Sequence, residues 1–401
     1  MSVASNPPRT AVPPTAYVVL GALSLCHLLN DTIQSLLPAL YPVLQENYAL
    51  TFTQVGFLHF AFQTVASVLQ PVVGWWTDVR PRFRLLPVGM GMSLIGLLIL
   101  AWAHSYVVLL FAAVCVGLGS SIFHPDASKL ARSASGGRFG MAQSVFQVGG
   151  NTGTAIGPLL AAFVVLPLGQ SSVAWFSALA LLGAVVLWRV GTWAREQHVR
   201  RSKVPEAAAV SALSRNHVVA VIGVLGLLVF SRYLYVTSLT SFYTFYAIEK
   251  FGVSVQQSQL LLFVFLGAVA VGTFAGGPIG DRIGRKAVIW VSILGVLPFT
   301  LILPHVNLFW TAVLTVIIGV VIASAFSAIL VYAQSLVPGR VGLISGMFFG
   351  FAFGIAGVGA AALGALADWK GLEFVFQVCA FLPLIGLLTV FLPAERDLVR
   401  R

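Results

Sequence analysis

Twelve long apolar runs dominate this sequence, and each is close to the roughly 20 residues that a helix needs to cross a bilayer. They lie near residues 16–43, 52–76, 85–104, 107–131, 141–166, 172–194, 217–247, 257–280, 287–304, 308–335, 342–367 and 373–393. Charged residues make up only 9% of the 401 residues, whereas the surface of a soluble protein needs roughly 25–35%. The sequence therefore predicts an all-α membrane protein with twelve transmembrane helices in two pseudo-symmetric six-helix bundles.

The runs fall into two groups of six around a polar, basic stretch. This spacing divides the chain into a disordered tail at 1–15, an N-terminal bundle at 16–194, a cytosolic linker at 195–215, a C-terminal bundle at 216–393 and a cytosolic tail at 394–401. Such a division is typical of secondary transporters, many of which are built from internal repeats.

Lysine and arginine residues concentrate in alternate loops, with only Lys250 and Lys370 on the other side. The positive-inside rule then places both termini in the cytosol. The net charge of +11 is explained by this topology, so we expect no nucleic-acid partner. The three cysteines lie far apart inside apolar runs and suggest neither a disulfide framework nor a metal site, and we expect no cofactor.

A few polar side chains interrupt the apolar runs, and their burial in hydrocarbon is costly enough to make them functional candidates. The candidates for carrying a proton are Asp31, His27 and Asp126. The candidates for binding substrate are Arg232, Gln147, Asn151, Tyr235, Tyr243, Tyr246, Gln34 and His124. Structural alternatives remain for each group: an Asp31–Arg232 ion pair, buried core histidines, hydrogen bonds between helices, and an aromatic belt for the tyrosines.

A short loop after the eighth run carries the motif Gly277-Pro-Ile-Gly-Asp-Arg-Ile-Gly-Arg-Lys286, in which Gly284 suits a positive φ. A weaker copy follows the second run and includes Gly74, Asp78 and Arg82. The two aspartates are 281 − 78 = 203 positions apart, about half the chain. This repeat supports an internal duplication.

The two groups of six runs, the basic linker and the repeated loop resemble the major facilitator superfamily. The second loop matches that family's signature throughout, whereas the first departs from it at Val79, Pro81 and Phe83. The resemblance implies a gating role for seven residues: Asp78, Asp281, Arg282, Arg285, Gly153, Gly157 and Pro158. The last three lie in a Gly-x-x-x-Gly-Pro segment that is similar to the family's antiporter motif.

Further segments resemble a bacterial branch of this family, among them Ser24–Asp31, Gln143–Asn151 and Ser324–Gln334. That resemblance implies a monomeric inner-membrane transporter that exports a small phosphonate drug in exchange for protons by alternating access. Export or import of a small organic anion driven by the membrane potential remains an alternative. The chain lacks the His-Glu-x-x-His and phosphate-loop motifs of metalloproteases and ATPases, so we expect a transporter and not an enzyme.

Overall fold

The computed structural model describes residues 14–40, 44, 47–50, 52–202 and 213–395, and these residues form helices joined by short turns. We number the helices by membrane span. The N-terminal half contains α1 (Tyr17–Ala39), α2 (Phe52–Val79), α3 (Leu85–Ala101), α4 (Tyr106–Ala134), α5 (Phe139–Leu160) and α6 (Ser177–Ser202). A π-helical turn at Ala161–Val165 extends α5, and a 3₁₀ turn at Gln170–Phe176 precedes α6.

The C-terminal half repeats this plan with α7 (Arg215–Phe251), α8 (Val255–Ile283), α9 (Arg285–Leu294, then Leu297–Ile302), α10 (Leu308–Leu336), α11 (Val341–Lys370) and α12 (Leu372–Cys379). A 3₁₀ segment at Leu382–Phe391 continues α12. Proline at 298 and at 383 begins the second piece of each of these spans, because proline at a first helical turn costs no hydrogen bond. The all-α fold is therefore confirmed.

Nine of the described helices are long and apolar enough to cross a membrane by length and composition, and α3 is a shorter apolar helix. The helices α1 and α5 are not among these nine because each carries a stripe of polar residues that lowers its mean hydropathy. Those stripes contain His27, Asp31 and Gln34 in α1, and Gln147 and Asn151 in α5. These two spans therefore supply part of the candidate site, to which α4 adds His124 and α7 adds Arg232.

The first part of the predicted linker at 195–215 is helical, because α6 continues to Ser202. The rest of the linker, from 203 to 212, lies outside the described residues. Most of the predicted tail at 1–15 and of the tail at 394–401 also lies outside them. Ser214 ends the linker by capping α7, since its hydroxyl accepts a hydrogen bond from the His217 N–H.

The two halves meet along two pairs of helices, α2 with α11 and α5 with α8. At midplane the hydroxyl of Ser67 donates to the Gly350 carbonyl at 2.9 Å, and Gln63 donates to the Phe353 carbonyl at 3.3 Å. Nearer the loop motifs, a Cβ on Gly74 would lie 2.0 Å from the Gly342 carbonyl oxygen. Only glycine permits this approach of the two backbones.

We call the end of the molecule that carries the two loop motifs the basic end. Its residues include Arg80, Arg82, Arg84, Lys129, Arg132, Arg138, Arg282, Arg285, Lys286 and Arg340. Gly284 joins α8 to α9 there with a φ of +94°, as the loop motif predicted. The hydrogen bonds described below hold the two halves together at this end.

Candidate substrate and proton site

A buried cluster surrounds Asp31, which lies near the middle of α1 in the N-terminal half. The carboxylate oxygens lie 3.3 Å from Nε2 of His27 and 3.4 Å from Nε2 of His124. Asn30 and Gln34 donate to Oδ1 of Asp31 at 3.0 and 3.2 Å. The helical spacing of α1 places His27, Asp31 and Gln34 on one face, and α4 adds His124 from the side. We call these five residues the Asp31 cluster.

Hydrogen bonds on the far side of each imidazole fix which nitrogen carries a hydrogen. Nδ1 of His27 lies 2.8 Å from the Phe146 carbonyl, and Nδ1 of His124 lies 3.0 Å from the Ser120 carbonyl. A carbonyl can only accept, so both Nδ1 atoms donate. Each Nε2 then faces a carboxylate oxygen of Asp31 with a lone pair unless a proton lies between them. The two imidazoles and the carboxylate therefore form a contiguous set of groups that can take up or release a proton.

The surroundings of the cluster are tight. His27 and His124 are 2% and 0% exposed, and a Cβ on Gly150 of α5 would lie 2.4 Å from Nε2 of His27. One ligand atom from each of His27, Asp31 and His124 lies within 4.8 Å of the others, a spacing compatible with a cation. The Asp31 carboxylate already accepts hydrogen bonds from the amides of Asn30 and Gln34, so these side chains form a hydrogen-bonded cluster.

Arg232 lies in α7 of the other half and is 6% exposed. Its Nε donates to the Ile322 carbonyl at 3.1 Å, and its guanidinium carbon lies 4.7 Å from the Tyr233 ring and 5.7 Å from the Phe326 ring. In the described part of the chain Arg232 forms no ion pair with a carboxylate. A buried guanidinium that lacks an anion is suited to bind one from solution.

The Asp31–Arg232 ion pair considered above is absent from the described residues, and aromatic rings explain why. Phe349 of α11 lies between the two sites, with ring centroids 5.1 Å from His124 and 5.2 Å from Phe326. Phe326 in turn packs against Arg232. These rings separate the Asp31 cluster from the guanidinium, so each site keeps its own partners.

Two predicted substrate residues of α5 lie along the contact between the halves. Nδ2 of Asn151 donates to Oγ1 of Thr273 on α8 at 2.9 Å. Gln147 lies one turn away and is 8% exposed, and its Oε1 accepts no hydrogen bond from the described residues. A ligand that separates α5 from α8 would meet both amides.

The structure places the three predicted tyrosines in the core of the C-terminal half and not at this contact. Tyr235, Tyr243 and Tyr246 are at most 3% exposed and pack in one apolar cluster. The Tyr243 hydroxyl lies 3.4 Å from Oγ1 of Thr315, and Tyr246 stacks on Phe376. Tyr243 lies eleven residues beyond Arg232, about 16 Å along the helix axis. The sequence could not show which helical face points into the bundle.

Asp281 holds the C-terminal half to the N-terminal half at the basic end. Its two carboxylate oxygens accept from the backbone N–H groups of Gly140 and Met141, each at 2.8 Å. These are the first N–H groups of α5, which favour a negative charge through the helix dipole. Arg285 lies 3.5 Å from the same carboxylate, whereas Arg282 is exposed.

Asp78 makes the reciprocal contact from the N-terminal half. Its oxygens accept from the N–H groups of Gly342 and Leu343, at 2.9 and 2.8 Å, at the start of α11. Lys129 lies 3.5 Å from Asp78 and 3.2 Å from Asp126. Asp126, predicted to carry a proton, therefore belongs to this contact and lies outside the Asp31 cluster. We call the Asp78 and Asp281 contacts the two latches.

A third contact lies between the latches and contains no carboxylate. The Gln334 side chain of α10 accepts from Arg132 at 3.2 Å and donates to Ser345 at 2.9 Å and to Ser128 at 3.3 Å. Gln334 is 1% exposed. Together with the latches, this contact closes the basic end.

The glycines of the antiporter-like segment pack inside the N-terminal half. A Cβ on Gly153 would lie 2.2 Å from the Leu28 carbonyl, and one on Gly157 would lie 1.9 Å from the Ser35 hydroxyl. Both glycines therefore let α5 approach α1, next to the Asp31 cluster. Pro158 follows in α5, and its side chain lies outside the described part of the structure.

Several site residues were not singled out from the sequence. Phe349 and Gln334 lie in uniformly apolar helices, where no periodicity distinguishes an interface position. Asn30 gave the strongest sequence signal of these residues, because it adjoins Asp31 and an amide beside a buried carboxylate is a natural hydrogen-bond donor. Thr273 gave no signal, since a threonine in a membrane helix usually bonds its own backbone.

Comparisons with known proteins agree with this architecture. The sequence profile of the Major Facilitator Superfamily matches residues 23–249 and 225–401. The chain is 57% identical over 382 residues to the fosmidomycin resistance protein of Escherichia coli (strain K12), covering 95% of this chain and 94% of that protein. It is 42% identical over 388 residues to the uncharacterized MFS-type transporter YfnC of Bacillus subtilis (strain 168), covering 96% and 95%.

Solved structures show the same fold at low sequence identity. The human organic anion transporter MFSD10 (TETRAN) superposes with a TM-score of 0.72 at 16% identity, covering 94% of this chain and 100% of that one. The proton:xylose symporter XylE gives a TM-score of 0.70 at 12% identity, covering 94% of each chain. The chain belongs to the Major Facilitator Superfamily and is a multi-pass membrane transporter, not an enzyme.

Proposed function

We propose that this protein exports fosmidomycin-like small anionic drugs from the bacterial cytoplasm by proton antiport with alternating access. The likeness to the E. coli fosmidomycin resistance protein supports the substrate class. The observation that carries the proposal is the separation of two complementary sites, an Asp31 cluster that accommodates protons and an Arg232 that lacks an anion. The basic end faces the cytosol, as the positive-inside rule requires.

Arg232 binds the phosphonate. A planar guanidinium donates two parallel hydrogen bonds to an oxyanion, which a lysine cannot do. Gln147 and Asn151 supply neutral hydrogen bonds from the opposite half, once substrate separates Asn151 from Thr273. Tyr235, Tyr243 and Tyr246 shape the core behind Arg232 and do not touch substrate. The site therefore draws its charge from one half and its amides from the other.

The Asp31 cluster carries the transported proton. Each histidine Nε2 lies near a carboxylate oxygen of Asp31, so the cluster offers several adjacent atoms that can take up or release a proton. A direct Asp31–Arg232 ion pair would give symport and not antiport. An anion that bound Arg232 would release Asp31, and the released carboxylate would then take up a proton while the anion is bound. Phe349 and Phe326 keep the carboxylate and the guanidinium from forming a direct ion pair.

The two latches close the cytosolic side while substrate leaves to the other side. Opening the cytosolic side requires both carboxylates to leave the helix N-termini that they cap. Gly153 and Gly157 keep α5 rigidly against α1, so the N-terminal half moves as a unit with its proton cluster. The protein functions as a monomer, since its two halves complete one pathway.

Transport driven by the membrane potential alone is the second candidate. An anion that leaves a negative-inside cell gains roughly 2.3 kcal/mol per charge per 100 mV without a proton. The unpaired guanidinium of Arg232 favours this alternative as much as it favours antiport, whereas the two histidines of the Asp31 cluster favour antiport only.

Fosmidomycin uptake into inverted membrane vesicles tests the proposal, with a pH gradient and a membrane potential imposed separately. We expect the pH gradient alone to drive accumulation, Asp31→Asn to abolish that part, and Arg232→Ala to abolish all uptake. Asp368→Asn is the matched control, because Asp368 is exposed at the far end of α11. If only the potential drives uptake and Asp31→Asn transports normally, the proton cluster has no part in coupling.

A further inference from the structure

A patch of arginine and tryptophan side chains lies on the outside of the N-terminal half at the basic end. The loop between α2 and α3 contributes Arg82 and Arg84, which are both exposed. Trp76 at the end of α2 and Trp188 on α6 are 37% and 48% exposed. We call these four residues the Arg–Trp patch.

Each of the two guanidinium groups lies near a tryptophan ring. The guanidinium carbon of Arg84 lies 4.4 Å from the Trp188 ring centroid, and that of Arg82 lies 5.7 Å from the Trp76 ring centroid. A stacked guanidinium keeps its N–H groups free along its edge, where they can donate to an oxyanion. The two cations are therefore held in place without their hydrogen-bonding capacity being used.

The loop that carries these arginines is docked on α6. A Cβ on Gly191 would lie 2.0 Å from the Phe83 carbonyl oxygen, so only glycine permits the contact. The Phe83 ring packs against His198 with centroids 5.5 Å apart. At Phe83 this loop departs from the family signature, and the Phe83 ring is the side chain that packs the loop against α6.

No acidic partner neutralises the patch in the described part of the chain. Neither Arg82 nor Arg84 forms an ion pair there. Arg80 and Arg189 are exposed nearby and add two positive charges. The adjoining acid, Asp78, is already committed to Lys129 and to the start of α11.

We propose that the Arg–Trp patch binds the headgroup of an anionic phospholipid of the cytosolic leaflet. Tryptophan side chains favour the headgroup level of a bilayer, and arginine pairs are suited to phosphate. Val185, one turn before Trp188, and Val88, on the first turn of α3, are exposed and apolar, so the acyl chains have a surface below the headgroup. A free phosphate would use the arginines alone, and the apolar surface therefore favours a lipid.

Native mass spectrometry of the detergent-solubilised protein with phosphatidylglycerol or phosphatidylcholine tests this proposal. The variant Arg82→Gln/Arg84→Gln removes both stacked cations. The control Arg138→Gln/Arg215→Gln removes the same charge at the same end from exposed arginines outside the patch. Trp188→Leu keeps every charge and removes one stacking surface, and inorganic phosphate serves as a competitor.

We expect the native chain to retain phosphatidylglycerol at least tenfold more than phosphatidylcholine. The Arg82→Gln/Arg84→Gln variant should lose roughly tenfold or more of that retention, since the lipid phosphate would lose both guanidinium groups that donate to it. Trp188→Leu should lose part of it, the control none, and phosphate should not displace the lipid. Equal loss in the control variant, equal retention of both lipids, or displacement by phosphate would each overturn the proposal. Thermal unfolding of each variant confirms that folding is intact.

Discussion

The Asp281 latch gives a quantitative prediction for the balance between the two transport states. Replacing Asp281 with asparagine leaves one acceptor oxygen but removes the charge and one of two hydrogen bonds to the start of α5. A hydrogen bond to a charged group is worth about 1.5–3 kcal/mol, and the helix dipole adds about 0.3–1 kcal/mol. We expect Asp281→Asn to cost the closed state about 2–4 kcal/mol, which raises the ratio of open to closed basic end ~30- to 700-fold.

Alkylation of a cysteine at position 345 measures this ratio. Ser345 is fully buried between the halves, and the three native cysteines, also buried, are first replaced. A membrane-impermeant maleimide added to inverted vesicles should label Ser345→Cys faster in the Asp281→Asn background, and Asp78→Asn should act similarly. The Asp368→Asn control should label at the starting rate. If neither the two single substitutions nor the double substitution Asp281→Asn/Asp78→Asn raises the labelling rate, the latches do not hold this end closed.

Three further substitutions probe the midplane. Gly150→Ala should lower proton-driven uptake in the vesicle assay at least tenfold, because the added Cβ would lie 2.4 Å from Nε2 of His27. The control Gly21→Ala should transport normally, because a Cβ at that position would meet no atom within 4 Å. Arg232→Lys should raise the KM for fosmidomycin about tenfold with little change in the maximal rate, as expected when one of two parallel hydrogen bonds is lost; an unchanged KM would contradict phosphonate binding there. Phe349→Ala should weaken the coupling of proton movement to transport, which would be measured as a proton leak without fosmidomycin in liposomes. If the variant shows no such leak, the Phe349 ring does not separate the two sites.

The sequence was sufficient for the fold because the relevant signals are local. Run lengths, the alternation of Lys and Arg between loops and the repeated loop motif each depend on a few neighbouring residues. The same holds for the α1 stripe, where a spacing of four places His27 and Asp31 on one face whatever the rest of the chain does. Asp78 and Asp281 were found for the same reason.

The partners of those residues could not be predicted, because they depend on how helices are rotated about their axes. Arg232 and Asp31 are the two charges nearest the middle of their spans, so pairing them was the simplest inference from composition. The structure instead gives Asp31 two histidines and gives Arg232 a backbone carbonyl. Likewise, nothing in the sequence of α7 shows that Tyr243 faces the core, since polar and apolar residues are spread around the whole helix.

The two latches have a consequence for how this architecture arose. Asp78 reaches from the first half to the start of α11, and Asp281 reaches from the second half to the start of α5, so each half supplies one carboxylate and one helix end. This is the self-complementary pattern of a two-fold homodimer, in which residue i meets residue j and j meets i. A single ancestral half would have closed on an identical copy through both contacts at once, before any gene fusion. In the present chain each half still supplies one carboxylate and one helix N-terminus to the other.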